Sequence, residues 1–306
     1  MKETVLVSGG AGYIGTHTTV ELIEAGYDVV IVDNLSNSEM EAVEGVRKIT
    51  GVNVPFEQVD CTDKEALGRV FDQYKFNSII HFAASKAVGE SVEKPLLYYR
   101  NNLQSLITIL ELMRDKGVRN IVFSSSCTVY GQPDVLPVTE QTPRQPATSP
   151  YGNTKQICED ILRDTVHAYP ELFGIALRYF NPIGAHPSAL IGELPKGVPM
   201  NLVPFITQTA AGIREYLSVF GDDYDTPDGS AIRDSIDVND LARAHVVAVD
   251  RMVGGKSKSN YEYFNIGTGR GLSVLELIAE FEKATGVKLN YKIVGRRAGD
   301  IEKVWA

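Results

Sequence analysis

The sequence predicts an α/β chain: a doubly wound, mostly parallel sheet with a smaller C-terminal α/β substrate lobe. Three observations predict it. Short apolar, β-branched runs alternate with helical patterns through the first half of the chain; a glycine-rich string joins the first run to the first helical stretch; and the texture turns loop-rich after about residue 180. Alternating strands and helices call for a parallel sheet with helices on both faces, and right-handed crossovers make it doubly wound, of Rossmann type. In order, residues 4–7 are a β-branched run and 13–25 a helical stretch. Residues 28–32 are nearly all apolar, as a strand buried on both faces requires. Further strands are expected at 55–59, 78–82 and 120–123, each separated from the next by a helical pattern. From Asn181 to Pro204, five prolines and several glycines predict loop, followed by an acidic loop at 222–228 and a Gly/Lys/Ser stretch at 254–259. This divides the chain into residues 1–182, a nucleotide-binding domain, and 183–306, mainly a substrate lobe. Segments near 236–240 and 264–267 are expected to return to the large domain.

Composition bounds the function. The 306 residues carry 30 basic and 39 acidic side chains, a net charge of −9, with 43% hydrophobic and 23% charged residues. These proportions suit a globular protein and exclude a disordered, collagen-like or disulfide-scaffold chain. A pI near 5.2 argues against non-specific nucleic-acid binding, though not against an anionic small ligand in a locally positive pocket. No stretch approaches the roughly 20 apolar residues that cross a bilayer, so no membrane partner is expected. The first eight residues run into a strand with no signal-peptide core. Cys61, Cys127 and Cys158 are odd in number and widely spaced, which predicts reduced thiols and a cytoplasmic location. The five histidines lack ligand spacing, so no metal is expected.

The glycines at 9, 12 and 15 stand as G-x-x-G-x-x-G between the first strand and the first helix. Glycine serves where the chain turns sharply and where backbone must approach a pyrophosphate, and the helix N-terminus then offers free N–H groups and partial positive charge. Asp33 ends the second strand, 18 residues after Gly15. A carboxylate there accepts hydrogen bonds from ribose hydroxyls and repels a 2′-phosphate, which favours NAD over NADP. Asp60 and Cys61, after the third strand, fall where an adenine would lie. Two further pieces fall where a nicotinamide would be: Ser124-Ser125-Ser126, expected just after the fifth strand, and Tyr151-Gly152-Asn153-Thr154-Lys155, opening a helix. Positions i and i+4 share a helical face, so Lys155 can lie beside Tyr151. A free tyrosine, with pKa about 10, is a poor base at neutral pH; lowering it by about 3 units needs roughly 4 kcal/mol, which a neighbouring ammonium and a cationic nicotinamide can supply.

A Y-x-x-x-K pair alone is common by chance. Combined with the serine run and the glycines, it resembles the short-chain dehydrogenase/reductase superfamily in its extended form. The resemblance narrows to the UDP-glucose 4-epimerase family. It is carried by Ser8 to Gly15, Asp33-Asn34-Leu35, His81 to Ala84, Lys86 to Ser91, Arg178 to Pro187, Asn201 to Pro204, Arg233-Asp234 and Arg297-Ala298-Gly299-Asp300. That family implies an isomerase: NAD-dependent interconversion of UDP-galactose and UDP-glucose by transient oxidation at sugar C4, with no net oxidation. By resemblance, Tyr151 takes the proton of the 4-hydroxyl, Ser126 hydrogen-bonds the same oxygen, and Lys155 lowers the Tyr151 pKa and holds the nicotinamide ribose. The 4-keto sugar turns in the pocket and is reduced on its other face, so NAD must stay bound throughout.

The same carry-over places Gly9, Gly12, Tyr13, Ile14, Gly15, Asp33, Asn34, Asn37, Ser38, Asp60, Cys61, Phe82, Ala83, Ala84, Lys86 and Asn101 around NAD, with Tyr179 near the nicotinamide. It places Lys86, Ser126, Tyr151, Asn181, Asn201, Leu202, Ser218, Phe220, Arg233 and Arg297 around a UDP-hexose. Two arginines chelate a diphosphate well, and Phe220 suits a uracil face. Ser235 stands where the family usually has tyrosine and is left out of the site. Val304 replaces a bulky tyrosine found in some relatives, leaving room for UDP-GlcNAc or UDP-GalNAc. Relatives run a further helix or two beyond Trp305-Ala306, so the lobe is expected to be truncated, and a homodimer is expected through helices around 96–116 and 151–169. A nucleotide-sugar 4,6-dehydratase wants an Asp-Glu pair after Ser126, where this chain has Cys127 and Thr128. A UDP-glucuronate epimerase or decarboxylase, needing a cation for the sugar carboxylate, and a non-catalytic NAD-binding regulatory protein remain the alternatives.

Overall fold

The computed structural model describes residues 3–297 and 300–306; Met1, Lys2 and the Ala298-Gly299 of the last motif lie outside the described residues. The elements in order are β1 (Thr4–Ser8), α1 (Tyr13–Glu24), β2 (Asp28–Asp33), α2 (Met40–Thr50), β3 (Phe56–Gln58), α3 (Lys64–Gln73), β4 (Ser78–His81), α4 (Val88–Glu93), α5 (Pro95–Lys116), β5 (Asn120–Ser126), α6 (Pro150–Ala168) and β6 (Phe173–Tyr179). Then come β7 (Asn181–Ile183), α7 (Leu202–Ala210), β8 (Leu217–Phe220), β9 (Ile232–Asp237), α8 (Val238–Val253), β10 (Tyr261–Ile266), β11 (Gly271–Ser273), α9 (Val274–Thr285), β12 (Tyr291–Val294) and β13 (Lys303–Val304).

Seven strands form one sheet in the order β10-β6-β5-β4-β1-β2-β3, with every neighbouring pair parallel. The near-continuous apolar runs follow from burial on both faces. Alternate residues Val5, Val7, Val29, Ile31, Ile80 and Val122 pack with Val20, Val43, Val46 and Leu241 of α1, α2 and α8. Their neighbours Leu6, Val30, Val32, Ile79 and Ile121 pack with Leu67, Leu106, Ile109 and Leu162 of α3, α5 and α6. Chain order reverses between β1 and β4, so the crevice at the carboxyl ends of these strands is the switch point at which such sheets take ligands.

One expectation is corrected. The fifth strand does not stop at 123: it runs to Ser126, because its register against β6 continues to Ser126 opposite Tyr179, so the serines are strand residues. Segment 236–240 divides between two elements, Ile236 and Asp237 ending β9 and the rest opening α8, which packs on α1. Segment 264–267 is the end of β10 and the glycine after it, and β10 forms one edge of the main sheet.

A second sheet joins β11, β9 and β13, with β7 also paired to β9, while β8 and β12 pair separately. Ile206, Leu217, Val219, Ile278 and Leu289 form their own apolar cluster among α7, β8, α9 and the segment entering β12. Helix ends are set locally. Ser149 caps α6, accepting the Gly152 N–H at 3.2 Å ahead of Pro150. Ser273 and Glu276 make a capping box on α9.

Candidate active site

The site forms where the loops after β1, β2 and β4 meet β5, α6 and the second sheet. At its nucleotide end, Gly9 adopts φ +69°, and a Cβ there would lie 2.7 Å from the Ala83 nitrogen. A Cβ on Gly15 would lie 2.4 Å from the Gly9 carbonyl oxygen. Backbone cannot give way at these distances, so only glycine lets the turn fold so tightly. Gly12 caps α1 without a side-chain partner, leaving first-turn N–H groups to a ligand. Ile14 packs against the sheet core. The Tyr13 hydroxyl donates to the Gly184 carbonyl at 2.7 Å, and burial holds its pKa above the usual tyrosine range.

Asp33 is 8% exposed and accepts from the Ala11 N–H (3.1 Å), the Leu35 N–H (2.9 Å) and the Ser38 hydroxyl (2.9 Å). It thus fastens the glycine turn to the 34–38 loop. Asn34 donates to Asp60 at 3.0 Å. Burial alone would raise the Asp60 carboxyl, but hydrogen bonds from Thr62 and Asn34 outweigh it and leave the pKa lowered. Burial pushes the Cys61 thiol up to about 12, and Asn37 is exposed. After β4, Phe82 packs 4.7 Å from the His245 ring, the Ala83 carbonyl accepts from Ser105, Ala84 is half-buried, and Asn101 donates to Ser85 at 3.0 Å.

At the reactive end, Tyr151 and Lys155 stand one turn apart on α6. The Lys155 Nζ donates to the Ser124 carbonyl at 2.5 Å and lies 5.8 Å from the Tyr151 ring centroid. Ser126 hydrogen-bonds the Tyr151 hydroxyl, and its Oγ also accepts the Thr128 N–H at 3.2 Å. Tyr179 shares a short hydrogen bond with Ser124. Burial raises the Tyr151 pKa above its ordinary value, against the Ser126 hydrogen bond that lowers it. Burial also lowers Lys155 to about 8. Desolvation dominates at Tyr151 in the chain by itself, so the expected lowering rests on both cations together, the Lys155 ammonium and a nicotinamide.

Three residues that the sequence reading passed over brace this pair. Glu159 accepts the Ser125 hydroxyl at 2.5 Å and holds Arg178 through two bonds at 2.8 and 2.6 Å, both side chains being almost wholly buried. Glu159 lies four residues after Lys155 on the same face, a spacing visible in the sequence. Asn102 bonds the Ser85 backbone twice and Thr154 once, tying the loop after β4 to α6.

The remaining residues line the second sheet and its neighbours. Asn181 opens β7 opposite Ser235 of β9. Asn201 caps α7 by position only, its side chain instead donating to Glu193, and Leu202 follows it. Ser218 and Phe220 lie on β8, Phe220 41% exposed with the Arg297 guanidinium 5.7 Å from its ring centroid. Arg233 and Arg297 converge on one acceptor, Asp300 Oδ1, at 2.9 and 3.3 Å. Lys86, half-exposed, pairs with Glu193 at 3.2 Å. Val304 is buried beside Cys127, Val129 and Phe180 and sits in register with Arg233. Asn34 and Asn37 are exposed on the loop after β2.

A family model described as "NAD dependent epimerase/dehydratase family" matches residues 5–267. The chain belongs to that family. It is 52% identical to UDP-glucose 4-epimerase 2 of Arabidopsis thaliana across all of this chain and 87% of that relative. The crystal structure of UDP-glucose 4-epimerase from Bifidobacterium longum in complex with NAD+ and UDP superposes with a TM-score of 0.96 at 50% identity, covering 99% of this chain and 89% of that one. The UDP-Glc/GlcNAc 4-epimerase of Campylobacter jejuni matches with a TM-score of 0.81 at 37% identity, over 99% of this chain and 89% of that one.

Proposed function

We propose that this chain is a UDP-glucose 4-epimerase, interconverting UDP-galactose and UDP-glucose with tightly held NAD. The observation that carries it is Tyr151, Ser126 and Lys155 converging beside a glycine turn that accepts no Cβ. The residues fit the dinucleotide: an uncapped α1 N-terminus suits a pyrophosphate, and the buried Asp33 carboxylate suits the hydroxyls of a ribose without a 2′-phosphate. Bound NAD supplies a reversible two-electron oxidant for C4 of the sugar. Tyr151 Oη takes the 4-hydroxyl proton as C4 is oxidised and returns it when C4 is reduced on its other face. Ser126 holds the same oxygen, sharing the proton along its hydrogen bond to Tyr151. Lys155, fixed by the Ser124 carbonyl, adds one positive charge next to the phenol; a bound nicotinamide would supply a second.

Arg233 and Arg297, gathered by Asp300, hold the diphosphate, and Phe220 faces the uracil beside Ser218, with Asn181, Asn201, Leu202 and Lys86 closing around the sugar nucleotide. Residues 1–182 serve as the NAD domain and 183–306 mainly as the substrate lobe, with α8 and β10 back on the main sheet. Two copies pack through α5 and α6, whose Leu103, Ile107, Ile157 and Ile161 are only half-buried in one copy. The three cysteines are free, which supports a reducing, cytoplasmic location. No helix among the described residues is long and apolar enough to cross a membrane.

The test is incubation with UDP-galactose and NAD+, with UDP-glucose the expected product. Tyr151→Phe is expected to lower kcat by about 10²–10⁴-fold. No product from the unmodified protein, or full activity in the variant, overturns the assignment. A second reading rests on the likeness to the UDP-Glc/GlcNAc 4-epimerase of Campylobacter jejuni and on the short side chain of Val304, which packs against Cys127, Val129 and Phe180. UDP-GalNAc is then also converted, and Val304→Tyr is expected to abolish that conversion while sparing UDP-galactose.

A further inference from the structure

Epimerisation without net oxidation works only if the dinucleotide stays put between the two half-reactions, and one segment of the chain is placed to keep it there. Residues 184–201 run across the carboxyl ends of the main sheet and touch each of the loops that follow β1, β2 and β4. The Gly184 carbonyl takes the Tyr13 hydroxyl at 2.7 Å, at the start of the glycine helix. Lys196 Nζ donates to the Leu35 carbonyl at 3.0 Å and pairs with Glu39 at 3.2 Å, in and beside the loop that begins at Asp33. Glu193, 11% exposed, pairs with Lys86 at 3.2 Å and accepts from Asn201. Between these pins Ile191, 5% exposed, is sunk into the core beside Val43 and Val46 of α2. The fit there is close: a Cβ on Gly45 would lie 2.6 Å from the Leu190 carbonyl oxygen and 2.7 Å from Ile191 Cγ2.

We propose that residues 184–201 are a strap that retains the dinucleotide, with Glu193 and Lys196 as its positioning residues. This rests on the NAD-dependent reading above. Ile191 anchors the strap permanently by burial. The two ionic pins are partly solvated, and such pairs are weak one at a time, so the span over the cleft can open for loading and close again afterwards. Glu193 also holds Lys86 and Asn201 in place, coupling closure of the strap to two side chains at the sugar end. Neither Glu193 nor Lys196 touches the reacting atoms; both act through retention.

The test uses the full-length protein loaded with NAD+. The Glu193→Gln/Lys196→Ala double variant is compared with wild type and with Glu280→Gln/Lys283→Ala, a matched ion pair on the far surface of α9. Dinucleotide remaining per chain is measured by acid release after gel filtration, and initial rates are measured with and without added NAD+. Wild type and control are expected to keep close to one equivalent. The double variant is expected to lose at least tenfold more, to depend on added NAD+, and to regain a rate within about threefold of wild type at saturation. Equal retention by the double variant overturns the proposal, as does a rate that saturating NAD+ fails to restore, since the strap would then act on substrate or chemistry. Should the double variant fail to fold, Lys196→Ala alone, altering a side chain 39% exposed, decides by the same retention assay. A wild-type protein that binds no NAD+ at all overturns the functional reading as well.

Discussion

Lys155 shows how an ordinary residue becomes reactive by placement. Its ammonium is buried, and what the chain offers it directly is the Ser124 carbonyl and the face of Phe123, 4.9 Å away. Burial lowers its pKa from 10.5 to about 8. Between those values the unfolded chain binds the proton more than the folded chain does, so the folded state gains stability as pH rises from about 8 towards 10.5. Lys155→Met removes this dependence. In the absence of NAD the variant is expected to be more stable than wild type by a few kcal/mol at pH 7, an advantage that shrinks as pH climbs through 8 to 10, as read by urea denaturation at each pH. A constant difference across that range sinks the account. The same substitution removes one of the two cations acting on Tyr151, so the stabilised variant is expected to be nearly inactive.

At the level of elements, the reactive geometry depends on how α6 is clamped between β5 and β6. Glu159 does most of the clamping, taking Ser125 from β5 and a two-bond contact from Arg178 of β6, while Tyr130 donates on to Asn265 of β10 and accepts from Arg178. Glu159→Gln leaves the guanidinium buried without its counter-charge, at an expected cost of about 3–5 kcal/mol in unfolding free energy. A loss below about 1 kcal/mol would show that solvent reaches Arg178 and that the clamp is not ionic. This network was half legible in the sequence. Glu159 stands at i+4 from Lys155, but nothing in the spacing of Arg178 reveals that β6 lies beside β5, because that pairing joins residues 53 positions apart. The length of β5 was missed for the same reason: serines are poor strand signals, and the register against β6 is what extends the strand to Ser126.

The molecule as a whole hides three histidines, His17, His81 and His245, and burial holds all three below the ordinary histidine pKa. His81 is 2% exposed, its Nδ1 2.7 Å from the Ser8 hydroxyl, and His245 is fully buried with Nδ1 2.8 Å from the Leu241 carbonyl oxygen. Burial holds their pKa values at about 3 and about 4, against an ordinary 6.5. Both groups therefore contribute stability that is complete above pH 6.5 and is lost as pH falls towards 4. Each steepens the decline by up to about 1.4 kcal/mol per pH unit. Urea midpoints measured from pH 7 to 4.5 are expected to fall, and His245→Phe is expected to flatten that slope by one group's share. An unchanged slope in the variant would place the acid sensitivity elsewhere.

Much of this protein follows from local order in the chain. The strand-helix alternation, the glycines at 9, 12 and 15, Asp33 and the Tyr151–Lys155 spacing are each short-range patterns. Steric limits on glycine, the period of a helix and burial of both sheet faces make such patterns readable without a structure. Convergence across the chain was decided only by folding. Arg233 and Arg297 meet on Asp300 because β13 lies beside β9, and Glu193 reaches Lys86 across 107 positions because the strap crosses the sheet. The balance of charge at Tyr151 was likewise a tertiary matter. Its sequence neighbours supply a helpful ammonium, but the fold removes the water around both groups, and that desolvation is the larger effect.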